Sequence, residues 1–154
     1  TALGEPVHMA TFERALLDAI DRPRYAGGIG EVSGIAARAA TRVSWDELLE
    51  LAGRWRSSAL AQRLGYFLDL HRAELPPSAR SALLELVRPQ SKIQLGSRRR
   101  WGTTGKLVRP WNVVENVPGE ILLPTRGERK EYRLVQTPCQ RPAPQTRNRE
   151  GNLA

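Results

Sequence analysis

The sequence predicts an α+β fold: about five helices, then a small antiparallel sheet, then a disordered basic C-terminal tail. Three observations carry this prediction. Apolar residues recur at helical spacing from Phe12 to Val87, with capping residues and proline stops between the runs. From Lys92 the pattern changes to short alternating stretches rich in β-branched and aromatic residues. Beyond Pro124, prolines and polar residues leave little apolar material to bury. The 154 residues, 40% apolar and with four tryptophans, suffice for one cored domain. That domain is expected over residues 1–123, with the tail over 124–154.

In chain order, Val7–Ala10 reads as a short edge strand. Thr11 caps the first helix, with Glu13 near the positive end of its dipole. Phe12, Ala15, Leu16, Ala19 and Ile20 form the stripe expected to face the core. Pro23 ends that helix and Gly27-Gly28 permits a reversal. Ile29, Val32, Ile35, Ala36 and Ala39 mark a second helix. Gly30 and Gly34 weaken it in isolation, so packing must hold it, and its small residues leave room for a close neighbour. Ser44-Trp45-Asp46-Glu47 is a capping box, the serine reaching forward and the glutamate back. Trp45, Leu48, Leu49 and Ala52 are the expected buried face of this third helix.

A break over Gly53–Ser58 leads into a helix over Ala59–His71, where Leu60, Leu64, Phe67, Leu68 and His71 share one side. Pro76-Pro77 stops it, and Ser78 starts a short helix through Val87. Lys92–Leu95 and Trp111–Val117 are the expected strands, with Glu120–Leu123 a third after the Pro118-Gly119 turn. Trp111 is expected in the core. Between the first two strands, Gly96–Pro110 reads as a basic loop or hairpin. Glu131–Val135 allows one further strand.

Charge is distributed unevenly. The net charge is +8, yet residues 1–90 carry 11 arginines against 11 acidic residues. Residues 91–154 carry 13 basic and 5 acidic side chains, so the whole excess lies there. Such an excess points to nucleic acid or another acidic partner. The single cysteine, Cys139, forms no internal disulfide and no metal cluster with the two scattered histidines, His8 and His71. No run of about 18 apolar residues suggests a membrane span, and the N-terminus lacks the regions of a signal peptide. A cytoplasmic protein without a membrane partner is the simplest expectation.

Two glycine-rich stretches resemble nucleotide motifs and fail on their spacing. Gly28-Ile29-Gly30-Glu31-Val32-Ser33 has serine where a dinucleotide fold needs its third glycine, and it follows a helix and a proline turn rather than a strand. Gly102-Thr103-Thr104-Gly105-Lys106 has Arg100 where a phosphate loop needs its first glycine and Leu107 where it needs Ser or Thr. Carboxylate pairs such as Glu13 with Asp18, or Asp46 with Glu50, read as solvated helix faces, and Arg14 with Asp18 as a helix brace. No nucleophile, base and orienting acid assemble from local signals. Neither enzymatic activity nor a cofactor is expected.

The best local binding signal is Ser97–Trp101. Arg98, Arg99 and Arg100 can engage phosphates bidentately, and Trp101 can stack or make cation–π contacts. A hairpin here would bring Lys106 and Arg109 near the same loop. Arg22 and Arg24, flanking Pro23, form a second candidate patch.

The segments Ala10–Asp18, Arg22–Gly28, Arg63–Leu68 and Trp111–Pro118 together resemble the C-terminal domain of the AbiEi-type antitoxins, over about residues 5–123. These are the antitoxin halves of type IV toxin–antitoxin systems of phage defence, often described as transcriptional regulators. The resemblance implies a chain that counters a nucleotidyltransferase-like toxin, its functional partner, frequently without a stable complex. Family members usually carry an N-terminal winged helix-turn-helix that binds operator DNA. Only six residues precede Val7, so that part is expected to be missing here. A basic face could then compete for the toxin's nucleic-acid or nucleotide substrate. The alternative expectation is a non-specific RNA- or DNA-binding module using the same loop and tail.

Overall fold

A computed structural model of the chain describes residues 9–123. Val7, His8, Cys139, the possible strand Glu131–Val135 and the whole expected tail lie outside the described residues. Met9 and Ala10 precede the first helix without regular structure. The five predicted helices are α1 (Phe12–Asp21), α2 (Ile29–Ala39), α3 (Trp45–Trp55), α4 (Ser58–Leu70) and α5 (Pro77–Glu85), with a 3-10 turn at Pro23–Tyr25. There follow β1 (Ile93–Gln94), the one-turn helix α6 (Arg98–Trp101), β2 (Lys106–Val108), β3 (Val113–Glu115) and the one-turn helix α7 (Gly119–Leu122). The fold is α+β.

Thr11 caps α1 as expected, its hydroxyl accepting from the Arg14 N–H at 3.3 Å. The buried stripe, however, is Glu13, Leu16, Leu17 and Ile20, turned by one position from the predicted one. Phe12 stays 44% exposed, beneath the Arg42 guanidinium. The cause is Glu13: its carboxylate accepts from the Ser44 N–H at 2.8 Å and so faces inward. Ser44 is the cap of α3, and its hydroxyl accepts from the Glu47 N–H at 3.5 Å. The capping box is therefore split. Its return half comes from α1, and one bond satisfies an N–H at a helix start while tying two helices together.

α4 is the central helix and packs against α1, α2, α5 and β3. Leu60, Ala61, Gln62, Leu64, Gly65, Tyr66, Phe67 and Leu68 are all buried, the signature of a helix enclosed on most sides. Gly65 is there because of Trp111: a Cβ at this position would sit 2.3 Å from the indole ring. Trp111 is fully buried, as predicted, and its Nε1–H donates to Asp69 at 2.7 Å. Asp69 also accepts a two-pronged bond from Arg80, which joins α5 to the same point. Gln62, fully buried, donates to the Ser91 and Trp111 carbonyls at 2.9 Å and accepts from two serine hydroxyls. On α2, Gly30 lets α7 come close, where an added Cβ would lie 2.6 Å from the Ile121 carbonyl oxygen.

The sheet departs from the purely antiparallel one expected. Its order is β1-β3-β2, with β1 and β3 parallel (Ile93 beside Val113) and β2 and β3 antiparallel (Leu107 beside Val114). The hairpin turn is Arg109–Asn112, and β3 returns between β2 and β1. Glu120–Leu123, expected as a strand, is instead mostly the helical turn α7, which seats Leu122 in the core against α2. The Ser97–Trp101 segment, expected as loop or hairpin, is the helical turn α6.

Candidate nucleic-acid interface

The basic segment is built as a tight arch from the end of β1 over the end of β3. Asn116 holds both feet of that arch. Its Oδ1 accepts from the Gly96 N–H at 2.9 Å, and its Nδ2 donates to the Gly102 carbonyl at 2.8 Å and the Gly96 carbonyl at 3.3 Å. Gly102, at φ +75 and ψ −165, ends α6 in an extended positive-φ conformation open chiefly to glycine. Between these feet α6 presents Arg98, Arg99 and Arg100, all exposed. Among the described residues none of the three pairs with a carboxylate. Arg98 is steadied by its Nε–H bond to the Gln94 amide oxygen.

Trp101 is half-buried against the core, and an added Cβ at Gly96 would lie 2.6 Å from its ring. The Arg100 guanidinium sits 4.8 Å from the centre of that ring. Trp101 is thus a platform that orients Arg100 at least as much as a free stacking surface. Lys106 begins β2 opposite Glu115, at the end of the sheet nearest Gly102. Arg109 follows the far end of β2, about 10 Å along the strand at ordinary strand rise. The structure therefore brings Arg98, Arg99, Arg100 and Trp101 together, with Lys106 at the same end of the sheet and Arg109 at the other.

The second patch is organised differently. Arg22 lies 3.6 Å from the Asp21 carboxylate, and Arg24 donates to its neighbour Tyr25 while its guanidinium lies over that ring. Both are exposed. Asp21 links this patch to a residue that sequence reasoning missed: the Asp21 carbonyl accepts from Arg63 Nη1 at 3.5 Å. Arg63 lies on α4 and Lys92 immediately before β1, and both line a pocket shared with Arg98. Arg63 carried no local signal, because in sequence it is one of many arginines on helices.

Other polar clusters are structural. His71 Nε2 is 2.7 Å from Ser33 Oγ, and that hydroxyl donates to the Leu122 carbonyl at 3.1 Å. Ser33 therefore accepts from His71, the reverse of an activated nucleophile, and is fully buried. Burial and then the Arg38 charge hold the His71 imidazolium disfavoured, lowering its pKa. The Tyr66 hydroxyl is buried beside Glu115; burial first, then that carboxylate, raise its pKa far above the usual phenol value. Among the described residues no group of three or more His, Cys, Asp or Glu could hold a metal. Nor is any described helix long and apolar enough to cross a membrane.

Half of the charge excess lies in the described segment that forms the sheet and α6. Residues 91–123 carry six basic and two acidic side chains, a net of +4, and residues 124–154 carry the other +4. Comparison with protein-family models, curated proteins and solved structures finds no match.

Proposed function

We propose that this chain is an antitoxin of the type IV class, acting through its basic face on nucleic acid that a nucleotidyltransferase-like toxin uses. The observation supporting the binding half is α6: three exposed guanidinium groups without carboxylate partners among the described residues, on an arch pinned by Asn116. Guanidinium forks match phosphate oxygens in pairs, and a fixed turn spends less entropy on binding than a loose one. The antitoxin half rests on the four-segment resemblance. Occupying a shared substrate accounts for antagonism without a stable complex between the two proteins. A plain nucleic-acid-binding module is the second reading, favoured by the same turn.

Two measurements test this. Binding to a random single-stranded oligonucleotide should weaken steeply with salt. Replacing Arg98, Arg99 and Arg100 together by alanine should reduce the log–log slope by about 2, from the lost phosphate contacts. Co-expression should rescue cells from a nucleotidyltransferase-like toxin encoded beside this chain, and the triple variant should lose the rescue at equal protein level. Binding without rescue leaves the plain module. No oligonucleotide binding at low salt removes the basic-face mechanism.

A further inference from the structure

Beside the arch lies an open pocket of about 290 Å³, lined by Arg63, Lys92, Ile93, Gln94, Gly96 and Arg98. Three of these six residues are cations and none is acidic. The size is at the lower edge of small-molecule sites, roughly 300–1,000 Å³, which suits one charged group and part of what carries it. It is too small to enclose a strand.

The state of Arg63 is the strongest pointer. Its Nε is buried without a hydrogen-bond partner, and its Nη1 reaches the Asp21 carbonyl only at 3.5 Å. The nearby Asp21 carboxylate lies against Arg22 instead. A partly buried cation with one N–H left without a partner is stabilised by an anion that joins it. Burial disfavours its charge and the Asp21 charge favours it, yet a guanidinium remains cationic at neutral pH. Lys92 and Arg98 add two more charges, and Gln94 holds Arg98 in place. The backbone contributes as well. Ile93 and Leu95 direct their N–H groups to β3, so the Gln94 N–H faces the open edge of β1 beside the pocket.

We infer that this pocket takes a phosphomonoester dianion: the terminal phosphate of a nucleic-acid strand, or that of a free nucleotide. Three cations lining one pocket, with an edge N–H beside it, suit a group with three terminal oxygens and nearly two charges at neutral pH. A phosphodiester within a strand has one charge and two free oxygens, and fits the exposed arginines of α6 instead. Because Arg98 belongs to both places, the strand-end source rests on the nucleic-acid reading above; the free-nucleotide source does not.

The test compares one oligonucleotide sequence with 5′-phosphate, 3′-phosphate or hydroxyl ends, and a nucleoside monophosphate added alone. A phosphate-ended strand should bind about tenfold more tightly than the hydroxyl-ended one, as charge-assisted bonds to a dianion require. Lys92→Gln, at an exposed edge position, should bring that ratio close to one and leave hydroxyl-ended binding within about twofold. Arg63→Gln should do the same, with its melting curve confirming that it folds. A nucleoside monophosphate that binds in a Lys92-dependent way, without any preference for strand ends, assigns the pocket to free nucleotide. If phosphate-ended strands or nucleotide bind while hydroxyl-ended strands do not bind at low salt, the pocket stands and the nucleic-acid face falls. Equal affinity for all three strand ends, with no nucleoside monophosphate binding at millimolar concentration, overturns the inference.

Discussion

At the scale of single residues, the structure turns on a few side chains whose neighbours come from distant parts of the chain. Gly65 is the sharpest case. A methyl group there would overlap the Trp111 ring carbons at 2.3 to 2.4 Å, and the ring is fixed by its bond to Asp69. Gly65→Ala should cost about 3 kcal/mol, at the upper end of ordinary overpacking, and lower the melting temperature by about 10 °C or more. An unchanged melting curve would show that the indole can move aside. His71 offers a prediction with a sign. Its folded pKa is lowered, so the unfolded chain binds the proton more readily, and stability should fall as pH drops below about 6.5, the unfolded value. Urea midpoints at about pH 5.5 and 7.5 read this difference. His71→Gln, which keeps an N–H donor for Ser33, should shrink it. Asp69 acts in a lower window. Burial raises its pKa, but the bonds from Arg80 and Trp111 outweigh that, so its contribution is lost only as pH falls below about 4.

At the scale of elements, α1 to α5 were legible because each is long enough to show its period and is bounded by a capping residue, a proline or, for α2, the Gly27-Gly28 turn. The rotation of α1 was not legible, since Glu13 faces inward only to meet Ser44, a partner 31 positions away. The turns α6 and α7 escaped because four residues cannot display a helical period. The parallel pairing of β1 with β3 is likewise silent in a two-residue strand; chain order and the turn at Arg109–Asn112 decide it. Asn116 is where the fold meets the proposed binding surface. Asn116→Ala removes three bonds that hold the arch and leaves polar groups of Gly96 and Gly102 without them. Amide exchange over residues 98–102 should quicken while α4 stays protected. Oligonucleotide affinity should fall about threefold to tenfold although no charge is lost, reflecting the added ordering cost. Unchanged exchange would mean that Asn116 does not pin the turn.

At the scale of the molecule, the sequence already showed where the charge lies, and the structure adds how it is held. The helical body up to residue 90 commits several arginines to carboxylates, as in Arg14 with Asp18, Arg54 with Glu50 and Arg80 with Asp69. The arginines of α6 have no carboxylate partner among the described residues, so beyond the Arg98 bond to Gln94 and the Arg100 contact with Trp101 their charges add repulsion rather than cohesion. This separates a binding surface from a stabilising one by opposite effects on two measurements. Alanine at Arg98, Arg99 and Arg100 should leave the melting temperature unchanged or raise it by a degree or two at low salt, because like charges are removed. Over the same conditions it should remove most oligonucleotide binding. Arg80→Ala, which unpairs Asp69, should do the reverse: melting falls and affinity holds. If the triple variant instead melts at lower temperature and binds the oligonucleotide as before, the basic turn is a structural part of the arch and its charges have no binding role there.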